Sequence, residues 1–200
     1  MQGWSALILA GGAGRRFAKD GAGGKLLADL GGAPVIRRVA ERVCDAGFAE
    51  VVVVTGADDA SVRTALESLA CRIVHAPDWA EGMAATLRTG IAALSPEARG
   101  VCVFLGDMPL VPVRLCGALT EAAEAAGYAA RPRLEGKPGH PVAFTRAAFP
   151  DLMALEGDRG ATALLAGRSD VAYCDTAERG VLFDIDTPAD LAAAVAAWKA

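Results

Sequence analysis

Much is scarce or missing in this chain of 200 residues, and each absence closes a class of function. No apolar run is long enough to span a bilayer, and no basic stretch near the N-terminus leads into a long apolar segment. A soluble, cytoplasmic protein with no membrane partner is expected. Basic residues are not in excess: 20 Lys and Arg stand against 24 Asp and Glu, a net charge of -4. A nucleic-acid partner, which needs a basic face, is therefore not expected. The five cysteines, Cys44, Cys71, Cys102, Cys116 and Cys174, are scattered, odd in number and free of any Cys-x-x-Cys. That argues against a disulfide framework and against zinc; Cys102 in an apolar strand and Cys44 on an apolar helix face read as buried thiols. Neither an internal repeat nor a low-complexity linker divides the chain, so residues 1–200 are expected to form one domain.

Two well-known phosphate-binding patterns are missing as well. A P-loop needs Gly, four residues, then Gly-Lys-Ser/Thr, but Gly24-Lys25 is followed by Leu26 and the first glycine's place holds Lys19. A dinucleotide fingerprint counted from Gly12 and Gly14 meets Phe17 at its third position. Its ribose-binding acid is also absent, since Val54 leads into Thr55 and Gly56. What is present is a buried apolar strand, Ala6 to Ala10, ending in Gly11, Gly12 and Gly14 with Arg15, Arg16 and Lys25 close behind. Glycines permit close approach of an anion to backbone N–H groups, and the three cations supply charge, so the stretch reads as a phosphate cradle.

Beyond it, apolar segments alternate with helical patterns. Strands are expected at 50–55, 72–75, 100–105, 128–131, 142–144, 171–174 and 181–185. Helices are expected after Pro34, over 61–69, through Leu87, Ile91 and Leu94, over 113–126 and 145–155, and up to Leu165. Arg37, Arg38, Glu41 and Arg42 read as a solvated helix face. Two prolines and two glycines across 134–141 predict a mobile loop. Thr187, Pro188 and Asp190 spell a helix start with a capping box, and Leu191, Val195 and Trp198 form the apolar face of the last helix. Mostly apolar strands alternating with helices predict an α/β fold, a mostly parallel central sheet with helices on both faces, in which ligands sit beyond the strands' carboxyl ends.

Asp107 follows one strand and Asp184 and Asp186 another. Carboxylates at strand ends beside a phosphate cradle suit Mg²⁺, which takes oxygen ligands and shares them with substrate phosphates. Alternation sends Asp184 and Asp186 to one face, which leaves Asp184 open as a third ligand. His140 is open between a base, a substrate contact and a loop residue, and His75 reads as structural.

Taken together, Leu9-Ala10-Gly11-Gly12, Arg16, Lys25-Leu26-Leu27, Gly82-Met83, Leu87-Arg88-x-Gly90, Gly106-Asp107-Met108-Pro109, Gly139-His140-Pro141-Val142, Gly157-Asp158-x-Gly160-Ala161 and Asp184-Ile185-Asp186-Thr187-Pro188-x-Asp190-Leu191 occur in the order seen in molybdenum cofactor nucleotidyltransferases. The chain resembles that family along nearly its whole length, and its middle and C-terminal motifs are similar to the cytidylyltransferase branch. The resemblance implies a Rossmann-like nucleotidyltransferase fold and transfer of CMP or GMP from CTP or GTP to the terminal phosphate of molybdopterin, with release of pyrophosphate. It implies nucleotide binding by Leu9, Ala10, Gly11, Gly12, Ala13, Gly14, Arg15, Lys25 and Gly82, and catalytic roles for Lys25, Arg16 and Asp107. Magnesium would be held by Asp107 and Asp186, with Asp184 as a further candidate, and the acceptor by His140 and Asp158. A molybdenum hydroxylase or its chaperone is the implied protein partner. Two departures stand out: Gly11 replaces the alanine usual in cytidylyltransferases, and the segment from Ala18 to Gly24 is longer than usual before the lysine. Another phosphorylated acceptor, a non-catalytic carrier of the cofactor and a dinucleotide-dependent oxidoreductase are the alternatives.

Overall fold

The computed structural model describes residues 1–12, 17, 24–157 and 160–198. Its centre is a mixed sheet in which β3 (Arg72–His75), β2 (Glu50–Thr55), β1 (Trp4–Ala10) and β4 (Gly100–Leu105) run parallel in that spatial order. The order continues through β7 (Val142–Thr145), antiparallel to β4, and β5 (Ala129–Leu134), antiparallel to β7. On its other edge β5 pairs in parallel with β8 (Val171–Asp175).

Strand alternation divides the core between the two faces of the sheet. Ala6, Ile8, Ala10, Val51 and Val53 point to a cluster with Ile36, Val39 and Val43 of α1 (Val35–Cys44), Val62 of α2 (Asp59–Ala65) and Leu119 of α4 (Cys116–Ala126). Leu7, Val52, Val54, Val101 and Val103 point the other way, to Leu87 and Ile91 of α3 (Met83–Ala93) and Leu152 of α5 (Phe149–Met153). Burial of both faces is why the strands read as continuous apolar runs. The expected α/β architecture, mostly parallel and covered on both sides, is the one observed.

A third cluster, Phe17, Leu30, Val35, Ile185 and Ala194, seats α7 (Pro188–Trp198) against the start of α1. The capping box that starts α7 forms as spelled. The Thr187 N–H donates to Asp190 Oδ2 at 2.8 Å and the Asp190 N–H returns to Thr187 Oγ1 at 3.2 Å, so the shorter acid still reaches.

Four expectations about secondary structure are corrected. Residues 181–185 form no strand: a 3-10 turn, Arg179–Leu182, leads into extended chain held by single bonds, His140 N–H to Val181 O and Ile185 N–H to Asp107 O. The helix expected over 145–155 is broken, because Thr145 ends β7 and Pro150, which lacks an N–H, is tolerated only in the first turn of the short α5. The helix expected up to Leu165 is the single turn α6 (Thr162–Leu165). The loop at 134–141 is a hairpin between β5 and β6 (Lys137–Pro138), turned at Glu135 and Gly136 with φ of 50° and 79°. Positive φ at both central residues matches the twist of paired strands. β6 and β7 lie on the same edge of β5, interrupted by Gly139-His140-Pro141, where the His140–Pro141 peptide is cis.

The solvated face expected on α1 is a clamp instead. Arg37 donates to Ala65 O at 2.9 Å, Arg38 to Leu30 O at 3.0 Å and Arg42 to Pro109 O at 2.6 Å. Arg38 and Arg42 also lie against the Trp198 ring, 5.5 and 5.7 Å from its centroid. No helix among the described residues is long and apolar enough to cross a membrane.

Candidate functional site

The site is built where β1 and β4 end side by side. The Gly106 N–H donates to Leu9 O at 2.9 Å, which ties the turn after β4 to the last residues of β1. Arg42 holds the same turn from α1 through Pro109. The chain past β1 enters the glycine run. Gly11 is buried, and a Cβ there would lie 2.5 Å from Thr86 Oγ1 on α3, whereas a Cβ on exposed Gly12 would meet nothing within 4 Å. Gly56 is pressed against the same turn, since its Cβ would fall 2.4 Å from Gly11 O. Glycine at 11 and 56 is therefore a packing requirement, and Gly12 presents open backbone. Ala13, Gly14, Arg15 and Arg16, expected to complete the cradle, lie outside the described residues, as does Asp158.

Lys25 opens a 3-10 turn, Lys25–Leu27, whose Leu26 is buried in the core. Its ammonium lies 2.5 Å from Asp107 Oδ2 and 2.7 Å from Asp186 Oδ1. Asp107 comes from the turn after β4, and Asp186 from the residue before the capping box of α7, where its own N–H donates to Asp190 Oδ2 at 3.2 Å. Two acids distant in sequence thus converge on one nitrogen, close enough together to share a single cation. Burial depresses the Lys25 pKa, but Asp107 and then Asp186 outweigh it, and the net shift is upward. The lysine is charged throughout the neutral range.

Asp184 is exposed, and its neighbour Ile185 is buried. Partial burial of its carboxyl group, then the charges of Asp186 and Asp107, raise its pKa. The local field at Asp184 is therefore negative despite Lys25. Among the described residues no three His, Cys, Asp or Glu side chains cluster with metal-site geometry. Asp107 and Asp186 stand as a pair of hard oxygen donors, the donor chemistry that suits Mg²⁺ or Mn²⁺ sharing its remaining positions with phosphate and water.

Two other motifs are drawn together at the start of α3. Gly82 turns the chain with φ of 118°, a conformation that favours glycine, and the Ala84 N–H donates to Gly157 O at 3.1 Å. A Cβ on Gly160 would meet Met83 Sδ at 2.9 Å. Gly82 and Met83 are thus adjacent in space to Gly157 and Gly160, far away in sequence.

His140 lies between β6 and β7 with its Nδ1 fully shielded and without a hydrogen-bond partner. Burial and the neighbouring Arg131 guanidinium push its pKa down to about 4, against a smaller opposing effect of the Val103 backbone. The imidazole is neutral at physiological pH. Arg131 is itself buried, 3% exposed, and donates through Nε and Nη2 to Gly139 O at 3.2 and 3.0 Å. The segment 181–186 connects this region to the acids, accepting from His140 at Val181 and donating to Asp107 at Ile185.

Sequence reasoning missed Thr86, Arg131 and Gly56. Gly56 was visible only as the place where a ribose-binding acid is lacking. Nothing in the spelling of α3 marks Thr86, and an arginine in an apolar strand gives no sign of which carbonyl it meets.

Comparisons with known proteins identify the family. Residues 6–173 match the model of the MobA-like NTP transferase domain. The chain is 30% identical over 192 residues to a protein of Paenarthrobacter nicotinovorans named nicotine blue oxidoreductase, covering 90% of this chain and 91% of that one. Rv0371c of Mycobacterium tuberculosis H37Rv superposes with a TM-score of 0.83 at 28% identity, covering 96% of this chain and 97% of the other. The same mycobacterial protein has also been solved in complex with manganese. Molybdopterin-guanine dinucleotide biosynthesis protein A of Archaeoglobus fulgidus shares the fold, with a TM-score of 0.74 at 22% identity over 98% of each chain. With 168 consecutive positions matched across the sheet and the glycine turn, this chain belongs to the MobA-like NTP transferase family and is a nucleotidyltransferase of that type.

Proposed function

We propose that the protein transfers a nucleoside monophosphate, CMP with GMP as the alternative, from a nucleoside triphosphate to the terminal phosphate of molybdopterin, releasing pyrophosphate. The observation that carries this reading is the pair Asp107 and Asp186, brought from separate elements to a single cation at the end of β4, which is tied through Gly106 to the end of β1 that leads into Gly11 and Gly12. Gly11, Gly12 and the residues through Arg15 bind the phosphates by backbone N–H groups, with Leu9, Ala10 and Gly82 bordering the nucleoside. Lys25 and Arg16 stabilise the charge that accumulates on the departing pyrophosphate. A phosphate oxygen of the acceptor forms the new bond to the α-phosphorus as the bond to the pyrophosphate oxygen breaks, so no protein nucleophile is needed. Catalysis is then positioning plus electrostatic stabilisation. Asp107 and Asp186, with Asp184 beside them, would hold Mg²⁺ or Mn²⁺, which supplies charge neutralisation on the phosphate oxygens. The manganese complex of the mycobacterial protein supports a divalent ion. His140, neutral and with an unused Nδ1, and Asp158 are assigned to binding of the acceptor.

The tight fit of Gly11 against Thr86 gives a packing reason for glycine in place of the alanine usual in cytidylyltransferases. The test is incubation with Mg²⁺, each nucleoside triphosphate in turn and molybdopterin, with pyrophosphate as the readout. Release dependent on both CTP and acceptor is expected; no release with any triphosphate overturns the reading. The name of the P. nicotinovorans relative favours a second reading, an oxidoreductase acting on a coloured substrate. Loss of the nicotine blue colour with a reduced nicotinamide dinucleotide, in the absence of any triphosphate, would establish it.

A further inference from the structure

All five cysteines are free thiols, and four of them form two contacting pairs in opposite settings. Cys102 and Cys116 are sealed in the core at 0% exposure. Cys44 and Cys71 are only partly buried at the edge of the same core cluster. Cys44 is the last residue of α1 and Cys71 the residue before β3, so their approach is a tertiary contact between a helix end and the outermost parallel strand. The Cys44 thiol donates to Ala70 O at 3.8 Å, which brings its sulfur beside Cys71, the next residue along the chain.

We infer that Cys44 and Cys71 are an oxidation site, a surface dithiol that peroxide converts into a reversible internal disulfide with Cys71 as the attacking sulfur. The asymmetry of the pair assigns the roles. The hydrogen bond from Cys44 outweighs burial and brings Cys71 down to about 7. The same hydrogen bond first, then burial and the charges of Cys71 and Asp45, push Cys44 up. One sulfur is thus partly thiolate at neutral pH, and the other keeps the proton it will give up. The Cys71 thiolate attacks a peroxide oxygen, the O–O bond breaks, and Cys71 sulfenic acid and hydroxide form. Cys44 then attacks the sulfenic sulfur; the S–S bond forms, the S–O bond breaks, and the oxygen leaves as water with the Cys44 proton. The pair of sulfurs loses two electrons and the peroxide gains them.

The site lies at the end of the sheet away from the glycine turn. Arg72, next to Cys71, pairs with Val52, whereas Ala10 pairs with Thr55, and Thr55 with His75, at the other end. Closing the bond encloses β2 and α2 in a covalent loop, which predicts a higher melting temperature in the oxidised protein.

The experiment is peroxide treatment of the reduced full-length protein, alkylation of the remaining thiols under denaturing conditions, and tryptic mapping. Cleavage after Arg42, Arg63 and Arg72 separates the two cysteines into different peptides. Expected are a cross-linked pair of those peptides lighter by two hydrogens and restored by dithiothreitol, and loss of free Cys71 at least about tenfold faster than loss of Cys102. Cys44→Ser should leave a Cys71 sulfenic acid that dimedone captures, and Cys71→Ser should leave Cys44 unoxidised. The inference is overturned if Cys71 is still fully alkylated after the peroxide treatment, or if Cys102 or Cys116 is oxidised as fast. It is equally overturned if the cross-link grows with protein concentration, which marks a bond between chains. The mapping of the unsubstituted protein decides the matter even where a variant does not fold.

Discussion

The two ends of the same parallel strands handle negative charge in opposite ways. At the amino end, the Glu50 carboxylate accepts from the Ser5 hydroxyl at 2.9 Å, the Ser95 N–H at 2.7 Å and the Arg72 guanidinium at 3.1 Å. Burial alone would raise its pKa, yet Ser95, Ser5 and Arg72 together bring it below the usual value. One acid there has three donors, and its work is to join β1, β2, β3 and the end of α3. At the carboxyl end, one lysine lies between Asp107 and Asp186, and the pKa of nearby Asp184 is raised by burial and by those two acids. A carboxylate surrounded by neutral and cationic donors is a structural tie. Carboxylates gathered around one shared cation form a place where a ligand's charge can be exchanged for the lysine's.

That contrast can be broken or sharpened by substitution. The largest effect is expected for Asp107→Ala, a loss of at least about 100-fold in pyrophosphate release without loss of the folded state by circular dichroism. Turnover within tenfold of the parent would remove Asp107 from the metal-holding role. Lys25→Met comes next, with an expected fall of about tenfold or more and little unfolding. An unchanged rate would move the charge-stabilising role to Arg15 or Arg16. Glu50→Gln should do the reverse, lowering stability in urea by about 1–3 kcal/mol because a charged hydrogen-bond acceptor is lost, with turnover per folded molecule retained. A catalytic defect there would erase the distinction between the two ends.

Two further effects concern the neighbourhood of the site. His140 is neutral in the folded protein down to about pH 4, while its unfolded value is 6.5. As pH falls through that window the unfolded chain takes up the proton first, so stability present above 6.5 is lost progressively, by up to about 3 kcal/mol. His140→Gln should flatten that part of the stability profile, measured by denaturant melts at several pH values. Gly11→Ala should destabilise by about 1–2 kcal/mol through its clash with Thr86, and Thr86→Ala in the same chain should recover most of the loss. Failure of that rescue would assign the glycine to the ligand instead of to packing.

The parallel half of the fold was legible because its central strands are buried on both faces and therefore spelled in runs of apolar residues, 6–10, 51–54 and 101–105. The start of α7 was legible because Thr187, Pro188 and Asp190 act within a few residues of one another. Asp107, Asp186 and Lys25 were legible as members of ordered motifs, but their mutual approach was not, since Lys25 and Asp186 are 161 residues apart. The antiparallel half was misread where local cues competed. Glycine and proline across 134–141 serve a hairpin turn and an interruption between β6 and β7 instead of a mobile loop. Apolar residues at 181–185 pack beneath the site without joining a ladder. The arginines of α1, polar by spelling, are held by carbonyls that no local pattern announces.

What the sequence alone determined is whatever depends on neighbours along the chain: the periodicity of the buried strands, the glycine turn that follows the first of them, and the cap of the last helix. Those rest on backbone freedom and burial, which act over a handful of residues. The tertiary structure decided which charges meet. A lysine nitrogen between two aspartates, an orphaned imidazole beside a buried guanidinium and a pair of thiols at the sheet's far end all arise from distances between remote segments. Electrostatic and covalent chemistry depends on those distances and carries no signature in local order.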